Sequence, residues 1–293
     1  MSEIASSPVV ADRAPAAVQV GRIVSFALVH GVLLAGAVFM LLPFVWMLIT
    51  SIKPPAEIFS ATISLWPKQF YGVENYRFAL NSAPLLRFAI NGIILCVGIL
   101  VVQLIVAIPC AYALAKLQFP GKKLLFVLVL LGLCIPVQVP AMPLYIGLAE
   151  LGLLNTYFSM MVPFFLSVFA IFLFRQFFMG FPDDIIHAAR LDGMSEFEIV
   201  WRIVTPSATP AIAAFAVFSA VAHWNDLYWP LIVISDAKLA PPPLGMMFFA
   251  DAETGSNYGA LTAAATILTA PLVIAFLVAR RRFIDGITMT GVK

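Results

Sequence analysis

From residue 22 onward, long apolar segments alternate with shorter polar ones. A helix needs about 20 consecutive apolar residues to cross a bilayer. The first apolar segment is also far longer than the core of a signal peptide, so it is a membrane helix that stays in the chain. The pattern therefore predicts an all-α integral membrane protein with six transmembrane helices. The predicted spans are residues 23–52, 88–115, 124–147, 156–178, 207–234 and 259–279.

The segments outside these spans have different characters. Residues 1–21 are rich in Ala, Pro and Ser and are predicted to be a disordered tail, whereas residues 53–87 form an extramembrane loop. The third span carries Pro136, Pro140 and Pro143. Proline removes a backbone donor, so we expect this span to be kinked or broken, with neighbouring helices satisfying the freed groups.

The polar segment at residues 180–206 stands between two long apolar segments. Its residues predict two short helices. Asp183 or Asp184 is the expected N-cap of the first helix, and Gly193 suits the left-handed position that ends it. Ser195 and Glu198 have the spacing of a capping box, which would open a second helix running to Pro206.

Small side chains recur on the first of these helices. Ala188 and Asp192 are four residues apart, as are Ala189 and Gly193, so small groups lie on neighbouring helix faces. A helix faced with Ala and Gly can be approached closely by another protein. We therefore predict that this segment is a docking surface.

The amino-acid composition limits the kinds of function that this protein can have. The 293 residues are 62% hydrophobic and 11% charged with a net charge of +2, which excludes a soluble domain and argues against a nucleic-acid partner. The three cysteines lie in apolar runs without metal-ligand spacing. No G-x-x-x-x-G-K-[ST] phosphate loop occurs, so ATP hydrolysis by that route would need another subunit.

Lys and Arg set the expected orientation, because cytoplasmic segments carry an excess of them. With the N-terminus inside, twelve of these residues fall on the inner side and five on the outer side. The inner set is Arg13, Arg22, Lys116, Lys122, Lys123, Arg175, Arg190, Arg202, Arg280, Arg281, Arg282 and Lys293. The outer set is Lys53, Lys68, Arg77, Arg87 and Lys238. Both termini and residues 180–206 are thus predicted to be cytoplasmic.

The docking segment also resembles a known motif. Ala188-Ala189, Asp192-Gly193, Ile203 and Pro206 are similar to the EAA loop in the permease subunits of binding-protein-dependent ABC importers. His187 stands where that family usually has Glu, and Thr205 where it usually has Leu.

Further segments resemble the carbohydrate-uptake permeases of the maltose and glycerol-3-phosphate type. They are Ser51-Ile52-Lys53-Pro54, Glu57-Ile58-Phe59, Asn75-Tyr76, His223-Trp224-Asn225-Asp226, Trp229-Pro230-Leu231, Gly286-Ile287-Thr288 and Gly291-Val292-Lys293. The resemblance covers nearly all of the chain after residue 22. It implies the ABC importer permease fold and a location in the inner membrane of a bacterium.

The resemblance implies a set of partners. These are a homologous second permease, two ATPase subunits that bind ATP and Mg, and an external solute-binding protein, with no cofactor in this chain. The implied ATPase-docking residues are His187, Ala188, Ala189, Asp192, Gly193 and Glu196. Residues 282–293 form the implied C-terminal tail, with ATPase contacts at Gly286, Thr288, Gly291 and Lys293.

Polar side chains inside membrane spans are costly and are therefore candidates for function. The predicted translocation-path residues are His223, Trp224, Asn225, Asp226 and Gln138. Nearby aromatic rings would supply faces for a sugar. The alternative is that Asn225 and Asp226 only satisfy backbone groups near Pro230, while the aromatic rings form an interface belt.

Three further polar side chains lie inside the predicted spans. Asn91, Gln103 and Gln138 are weaker candidates for the path, and the favoured interpretation of each is a hydrogen-bond partner between helices. The main prediction is half of a translocation path for a sugar or sugar derivative. One alternative is an importer of a non-sugar such as glycerol-3-phosphate. A secondary transporter would need an intramembrane carboxylate or cation site, to which only Asp226 comes near, and an integral membrane enzyme would need a catalytic constellation that the sequence does not offer.

Overall fold

The computed structural model describes the backbone of residues 16–60, 64–252 and 257–288. It describes the side chains of residues 25–60, 64–250 and 257–278. Within these ranges the regular elements are helices. In chain order the α-helices are α1 (Ala16–Ser51), α2 (Pro55–Ile58), α3 (Gly72–Ser82), α4 (Leu85–Lys116), α5 (Lys122–Leu133), α6 (Ala141–Glu150), α7 (Tyr157–Met161), α8 (Val168–Met179), α9 (Asp183–Leu191), α10 (Glu196–Glu198), α11 (Thr205–Ser207), α12 (Thr209–Trp224), α13 (Tyr228–Val233), α14 (Pro242–Ala252) and α15 (Tyr258–Thr288).

By length and composition, three helical stretches in the described part of the chain can each cross a membrane alone. They are Ser25–Ser51, Leu85–Lys116 and Tyr258–Val278. Two bent pairs raise the number to as many as five. One pair joins Tyr157–Phe164 to Val168–Met179 at 44°, and the other joins Glu196–Ser207 to Thr209–Trp224 at 80°. The count of six spans stays a prediction.

The proline-rich third segment is broken, as its sequence predicts. Helix α5 ends at Leu133, and α6 begins only at Ala141. Pro140 occupies the N-cap position of α6, where its missing N–H removes no helical hydrogen bond. The predicted fifth span is also interrupted, because α12 ends at Trp224 and α13 begins at Tyr228.

Helix α4 lies at the centre of the fold. It packs along α8 and α12, while α15 packs against α12 and α1. The buried apolar side chains form two clusters. One surrounds the first half of α4 together with α14 and α15. The other surrounds its second half together with α8, α9 and the start of α12. The second cluster joins the polar segment at residues 180–206 to the membrane helices.

Asn91 on α4 holds a distant loop in place. Its Nδ2 donates to the carbonyl oxygens of Lys238 at 3.0 Å and Ala240 at 2.9 Å. Its Oδ1 accepts a 2.6 Å hydrogen bond from the Tyr157 hydroxyl. The side chain is buried, so these bonds offset the cost of removing the amide from water. The prediction of an interhelical partner is confirmed.

Gln103 has the same role about three turns further along α4. Its Nε2 donates to the Phe164 carbonyl at 2.9 Å, and its Oε1 accepts from the Ser219 hydroxyl at 2.8 Å. It thereby ties α4 to α12 and to the turn after α7. This prediction is also confirmed.

Of the cysteines, Cys96 is buried, whereas Cys110 and Cys134 are exposed.

The ends of the chain differ in part from their predicted form. Residues 1–15 of the predicted tail 1–21 lie outside the described residues, and α1 begins at Ala16, so the helix starts earlier than expected. At the other end α15 continues to Thr288, past the start of the predicted tail 282–293. Gly286 and Thr288 lie in its last turns, but nothing is described of their side chains. Gly291 and Lys293 lie outside the described residues.

Candidate functional site

Two regions carry the residues singled out by sequence. The first is residues 183–207, which we call the docking hairpin. Its first arm is α9. The second arm starts with α10, continues as a π-helix over Ile199–Val204 and ends with α11. The arm thus ends at Ser207, one residue beyond Pro206, where it was expected to end.

The joint of the hairpin has the geometry that its glycine predicts. Gly193 has a φ of 82°, in the left-handed region that a side chain with a Cβ rarely adopts. The Gly193 N–H bonds to the Arg190 carbonyl at 3.0 Å, and the Met194 N–H bonds to the Ala189 carbonyl at 3.1 Å. These bonds satisfy carbonyls that the end of α9 would otherwise leave free.

The second arm begins with the predicted capping box. The Ser195 hydroxyl accepts from the Glu198 N–H at 3.3 Å, and the Glu198 carboxylate accepts from the Ser195 N–H at 3.0 Å. Hydrogen bonds from Ser195 hold the pKa of Glu198 below its usual range, because they favour the ionised form. The prediction is confirmed at both residues.

The predicted N-cap of the first arm is wrong. Helix α9 begins at Asp183 itself, with Pro182 in the N-cap position and no side-chain cap. Asp183 accepts a 2.6 Å hydrogen bond from Lys116 Nζ at the end of α4, and this cation lowers the pKa of the carboxyl. Since the helix starts earlier than expected, His187 lies at its fifth position, where it has no part in a capping box.

One face of the hairpin is packed into the permease core. Ile186 and Ala189 from α9, with Ile199, Val200 and Val204 from the second arm, are buried in the second apolar cluster. Ala189 was expected on the docking face, but only 4% of it is exposed. Its small side chain allows α9 to approach the core of its own chain.

The opposite face presents groups that the sequence interpretation missed. Leu191 is 89% exposed and Phe197 70% exposed, close to the exposed Ala188, Asp192 and Gly193. Large apolar side chains exposed on a polar hairpin indicate a protein contact. The sequence contains a signal for this exposed face, because Leu191 and Phe197 are apolar residues that lie outside the buried face of the two helices.

Glu196 also has a role that the sequence did not show. Its carboxylate accepts 2.6 Å hydrogen bonds from the Tyr112 hydroxyl of α4 and from Arg190 Nε of α9. The hydrogen bond from Arg190 has the largest effect and lowers the pKa of Glu196. Burial opposes it, and the hydrogen bond from Tyr112 adds to the lowering. Glu196 therefore ties both arms of the hairpin to α4.

The second region is a cavity of about 480 Å³, which we call the helix-break cavity. Three interruptions of helical structure meet at its wall. They are the stretch between α5 and α6, the turn at Pro163 and Phe164 after α7, and the gap between α12 and α13. Breaks in membrane helices expose backbone groups and are tolerated where they line a cavity or are buried in protein.

The cavity brings together four of the five predicted path residues. Gln138, His223, Asn225 and Asp226 all line it. Trp224 does not, because its ring is only 6% exposed and its Nε1 donates to the Leu268 carbonyl at 3.2 Å. Trp224 thus packs α12 against α15.

The polar groups of the cavity are partly engaged by the protein. Asn225 Nδ2 donates to the Val221 carbonyl at 2.8 Å, and Asp226 Oδ1 accepts from the Trp229 N–H at 3.4 Å. The alternative role, in which these residues satisfy backbone groups at a helix break, is therefore present. Within the described part of the chain, the Asn225 Oδ1 and the Gln138 side-chain amide make no hydrogen bond and are open to a solute. The interhelical hydrogen bond expected of Gln138 is therefore not found there.

Aromatic rings complete the wall. Tyr228 and Trp229 line the cavity, as does Phe164, which the sequence did not single out. A second cavity of about 360 Å³ shares Gln138 and Tyr228 with the first and adds Tyr145. The two cavities together offer a row of aromatic faces with amide and carboxylate groups between them. Phe164 and Tyr145 carry no local sequence signal, because only the fold places them here.

Comparison with known proteins gives this geometry a context. A family model described as the inner membrane component of binding-protein-dependent transport systems matches residues 103–288, which include both the hairpin and the cavity. The chain belongs to this family. It is a multi-pass inner membrane permease, in agreement with the fold and with the docking motif.

Several relatives of this permease cover almost its whole length. It is 32% identical to the arabinooligosaccharides transport system permease protein AraQ of Bacillus subtilis, over 86% of this chain and 90% of that protein. It is 30% identical to the diacetylchitobiose uptake system permease protein NgcG of Streptomyces coelicolor, over 89% and 87%. It is 31% identical to the sn-glycerol-3-phosphate transport system permease protein UgpE of Brucella suis, over 92% and 98%.

A solved structure supports the fold. The permease is similar to a chain in the crystal structure of a bacterial ABC transporter involved in the import of the acidic polysaccharide alginate. The TM-score is 0.77 and the identity 24%, over 88% of this chain and 96% of that chain. The all-helical permease fold is thereby confirmed.

Proposed function

We propose that this permease forms half of the translocation path of an ABC importer for a sugar or sugar derivative. A homologous second permease would supply the other half. The names of two relatives support the solute class, since AraQ is named for arabinooligosaccharides and NgcG for diacetylchitobiose.

The observation that carries the proposal is the chemistry of the helix-break cavity. Its volume lies in the range of small-molecule sites, which is about 300–1,000 Å³. Tyr228 and Phe164 offer aromatic faces, and Gln138 and Asn225 offer amide donors and acceptors. Trp229 is only 4% exposed and its Nε1 donates to the Ser159 carbonyl at 2.8 Å, so its ring is part of the packed wall. Aromatic and amide groups together suit a neutral polyhydroxyl solute, because such a solute has apolar ring faces and many hydroxyl groups.

The charge of the cavity supports the main proposal over its nearest alternative. Among the residues that the structure describes, no Lys or Arg lines the cavity, whereas the Asp226 carboxylate does. A phosphate group is recognised by Arg, Lys or backbone N–H donors, and a carboxylate beside it costs free energy. Glycerol-3-phosphate is therefore disfavoured as the solute, although UgpE is a relative.

Energy for uptake would come from two ATPase subunits, which bind ATP and Mg. The docking hairpin would enter a cleft in the ATPase through its exposed face, with Leu191 and Phe197 as apolar anchors. Closure of the ATPases would then move the hairpin and, through Glu196 and Tyr112, helix α4. An external solute-binding protein would deliver the sugar.

This proposal includes an orientation. Six spans with cytoplasmic termini place the hairpin on the side of the ATPases. The distribution of Lys and Arg, twelve inside against five outside, supports it.

The test begins with co-purification of the subunits that accompany the tagged permease, including the solute-binding protein. Thermal-shift screening of that binding protein would then compare neutral oligosaccharides with sn-glycerol 3-phosphate. The proposal expects stabilisation by a neutral saccharide and uptake of the same labelled saccharide. Stabilisation by the phosphate ester alone would overturn the solute class, and the absence of any co-purified ATPase would overturn the importer assignment.

A further inference from the structure

A further cavity, lined in part by cations, lies at the turn between α4 and α5. Its volume is about 840 Å³. Three cationic side chains line it, namely Lys122, Lys123 and Arg175. These residues belong to the segments that the orientation above places at the cytoplasmic surface, next to the start of the third span.

Two of the three cations are fixed by the end of α4. Lys122 Nζ donates to the carbonyls of Ala115 at 3.2 Å and Leu117 at 2.7 Å. Arg175 Nε donates to the Leu114 carbonyl at 3.2 Å, and its guanidinium lies 3.6 Å from the centre of the Phe126 ring. The backbone therefore holds these charges close together, where they repel each other.

The positive charge of this cluster is not balanced by the described part of the chain. The ion pairs found there use Lys116, Arg190 and Arg202, and none of them involves a cation of this cavity. Burial, with the charges of Arg175 and Lys116, lowers the pKa of Lys122. A bound anion would relieve this repulsion.

The start of α5 adds to the attraction for an anion. Helix α5 is 12 residues long, and its N-cap residue Gly121 provides no side-chain hydrogen bond. The first-turn N–H groups of a helix and the positive end of its dipole favour phosphate groups. Here they lie beside the same cations.

The rest of the cavity wall is apolar and continues onto the outer face of α5. Leu124 is 64% exposed and Val127 47% exposed, and both line the cavity with Phe126. A soluble anion would use only the cations, whereas a phospholipid would also cover this apolar wall with an acyl chain. We propose that the cavity binds one anionic phospholipid, with its phosphate at Lys122, Lys123 and Arg175. Basic pockets between cytoplasmic helix ends are known to hold such headgroups.

The test uses the full chain, purified in detergent with the subunits that it retains and then titrated with single lipids. Native mass spectrometry would compare phosphatidylglycerol with phosphatidylcholine of the same acyl chains. We expect one phosphatidylglycerol to bind preferentially, and Lys123→Gln to weaken that binding about fivefold, the contribution of one basic residue at an anionic surface. Lys123 is the residue to change because its side chain makes no hydrogen bond in the described part of the chain. Its replacement therefore leaves the hydrogen bonds at the end of α4 in place.

Two variants serve as controls. Lys123→Arg keeps the charge and should keep the preference, while Arg87→Gln removes an exposed cation at the opposite end of α4 and should leave it unchanged. Equal binding of the two lipids, or an unchanged preference in Lys123→Gln, would overturn the proposal. Displacement of the lipid by millimolar inorganic phosphate would overturn it as well, because the site would then be one for a free anion. The assay measures no sugar or ATP, so its failure would leave the proposed import function standing.

Discussion

The docking hairpin and the helix-break cavity are built from different kinds of contact. The joint of the hairpin and the start of its second arm are shaped by neighbours in sequence, since Ser195 bonds to Glu198 and Gly193 bonds to Arg190. The cavity is shaped by residues far apart in sequence, such as Gln138 and His223. A region of the first kind keeps its form when the surrounding helices move, whereas a region of the second kind changes form with them.

Both regions are nevertheless attached to α4. Tyr112 bonds to Glu196 of the hairpin. Gln103 bonds to Ser219 and lies 3.4 Å from His223 Nε2, at the edge of the cavity. These two residues of α4 are about 13 Å apart at the usual helical rise of 1.5 Å per residue. We infer that a displacement of the rigid hairpin reaches the deformable cavity through this helix.

The largest effect is expected from Trp224→Ala. The ring is buried between α12 and α15, so its loss should cost about 3–5 kcal/mol of stability, the usual range for Trp or Phe to Ala in a core. We expect little correctly folded protein in a thermal-stability assay on detergent extracts. Asn225→Ala, one residue away at the exposed end of the helix, is the control and should fold normally. A stable Trp224→Ala variant with impaired uptake would place Trp224 in the path after all.

The next largest effect is expected when the exposed face of the hairpin becomes charged. Leu191→Asp should not disturb folding, because the side chain is 89% exposed, but it should remove an apolar anchor worth about 2 kcal/mol. Retention of ATPase on the tagged permease should fall roughly thirtyfold. Leu151→Asp changes a leucine that is 72% exposed in the turn after α6 and should retain the ATPase fully. Equal retention in both variants would show that the exposed face is not the contact.

A smaller effect is expected from Glu196→Gln. Because water screens the exposed part of the carboxylate, loss of its charged hydrogen bonds should lower the free energy of unfolding by only about 1 kcal/mol. The pKa of Glu196 in the folded protein lies below the ordinary carboxyl value. The hydrogen bonds of the ionised Glu196 therefore stabilise the folded state at neutral pH, and this stabilisation is lost as the pH falls through the folded pKa. Thermal unfolding followed from pH 7 to pH 3 should show wild type approaching the variant only in acid. A constant difference across that range would contradict an ionised Glu196.

The smallest effect is expected from His187→Glu. The side chain is exposed at the fifth position of α9, near Lys116 and Arg190, so a carboxylate is accommodated there. Transport should stay within a few-fold of the wild type in an uptake assay. Loss of ATPase retention with normal insertion would instead assign a specific contact to His187.

Local signals explain which of these features could be predicted from the sequence. The broken third segment followed from its prolines, and the hairpin joint and capping box followed from residues at most three positions apart. Burial of Ala189 could not be foreseen, because which helix face meets the core depends on where α4 and α8 pass. For the same reason the sequence could not separate Trp224, which packs against α15, from Asn225, which reaches the cavity.

The comparison between the two regions is tested most directly by measuring ATPase retention and sugar uptake together in two variants. Phe197→Asp changes the exposed face of the hairpin, and Gln138→Ala changes a cavity side chain without removing a hydrogen bond of the described protein. We predict that Phe197→Asp loses ATPase and uptake together, whereas Gln138→Ala keeps the full ATPase complement and loses uptake several-fold. Normal uptake in Gln138→Ala, or full ATPase retention with normal uptake in Phe197→Asp, would contradict this division of function.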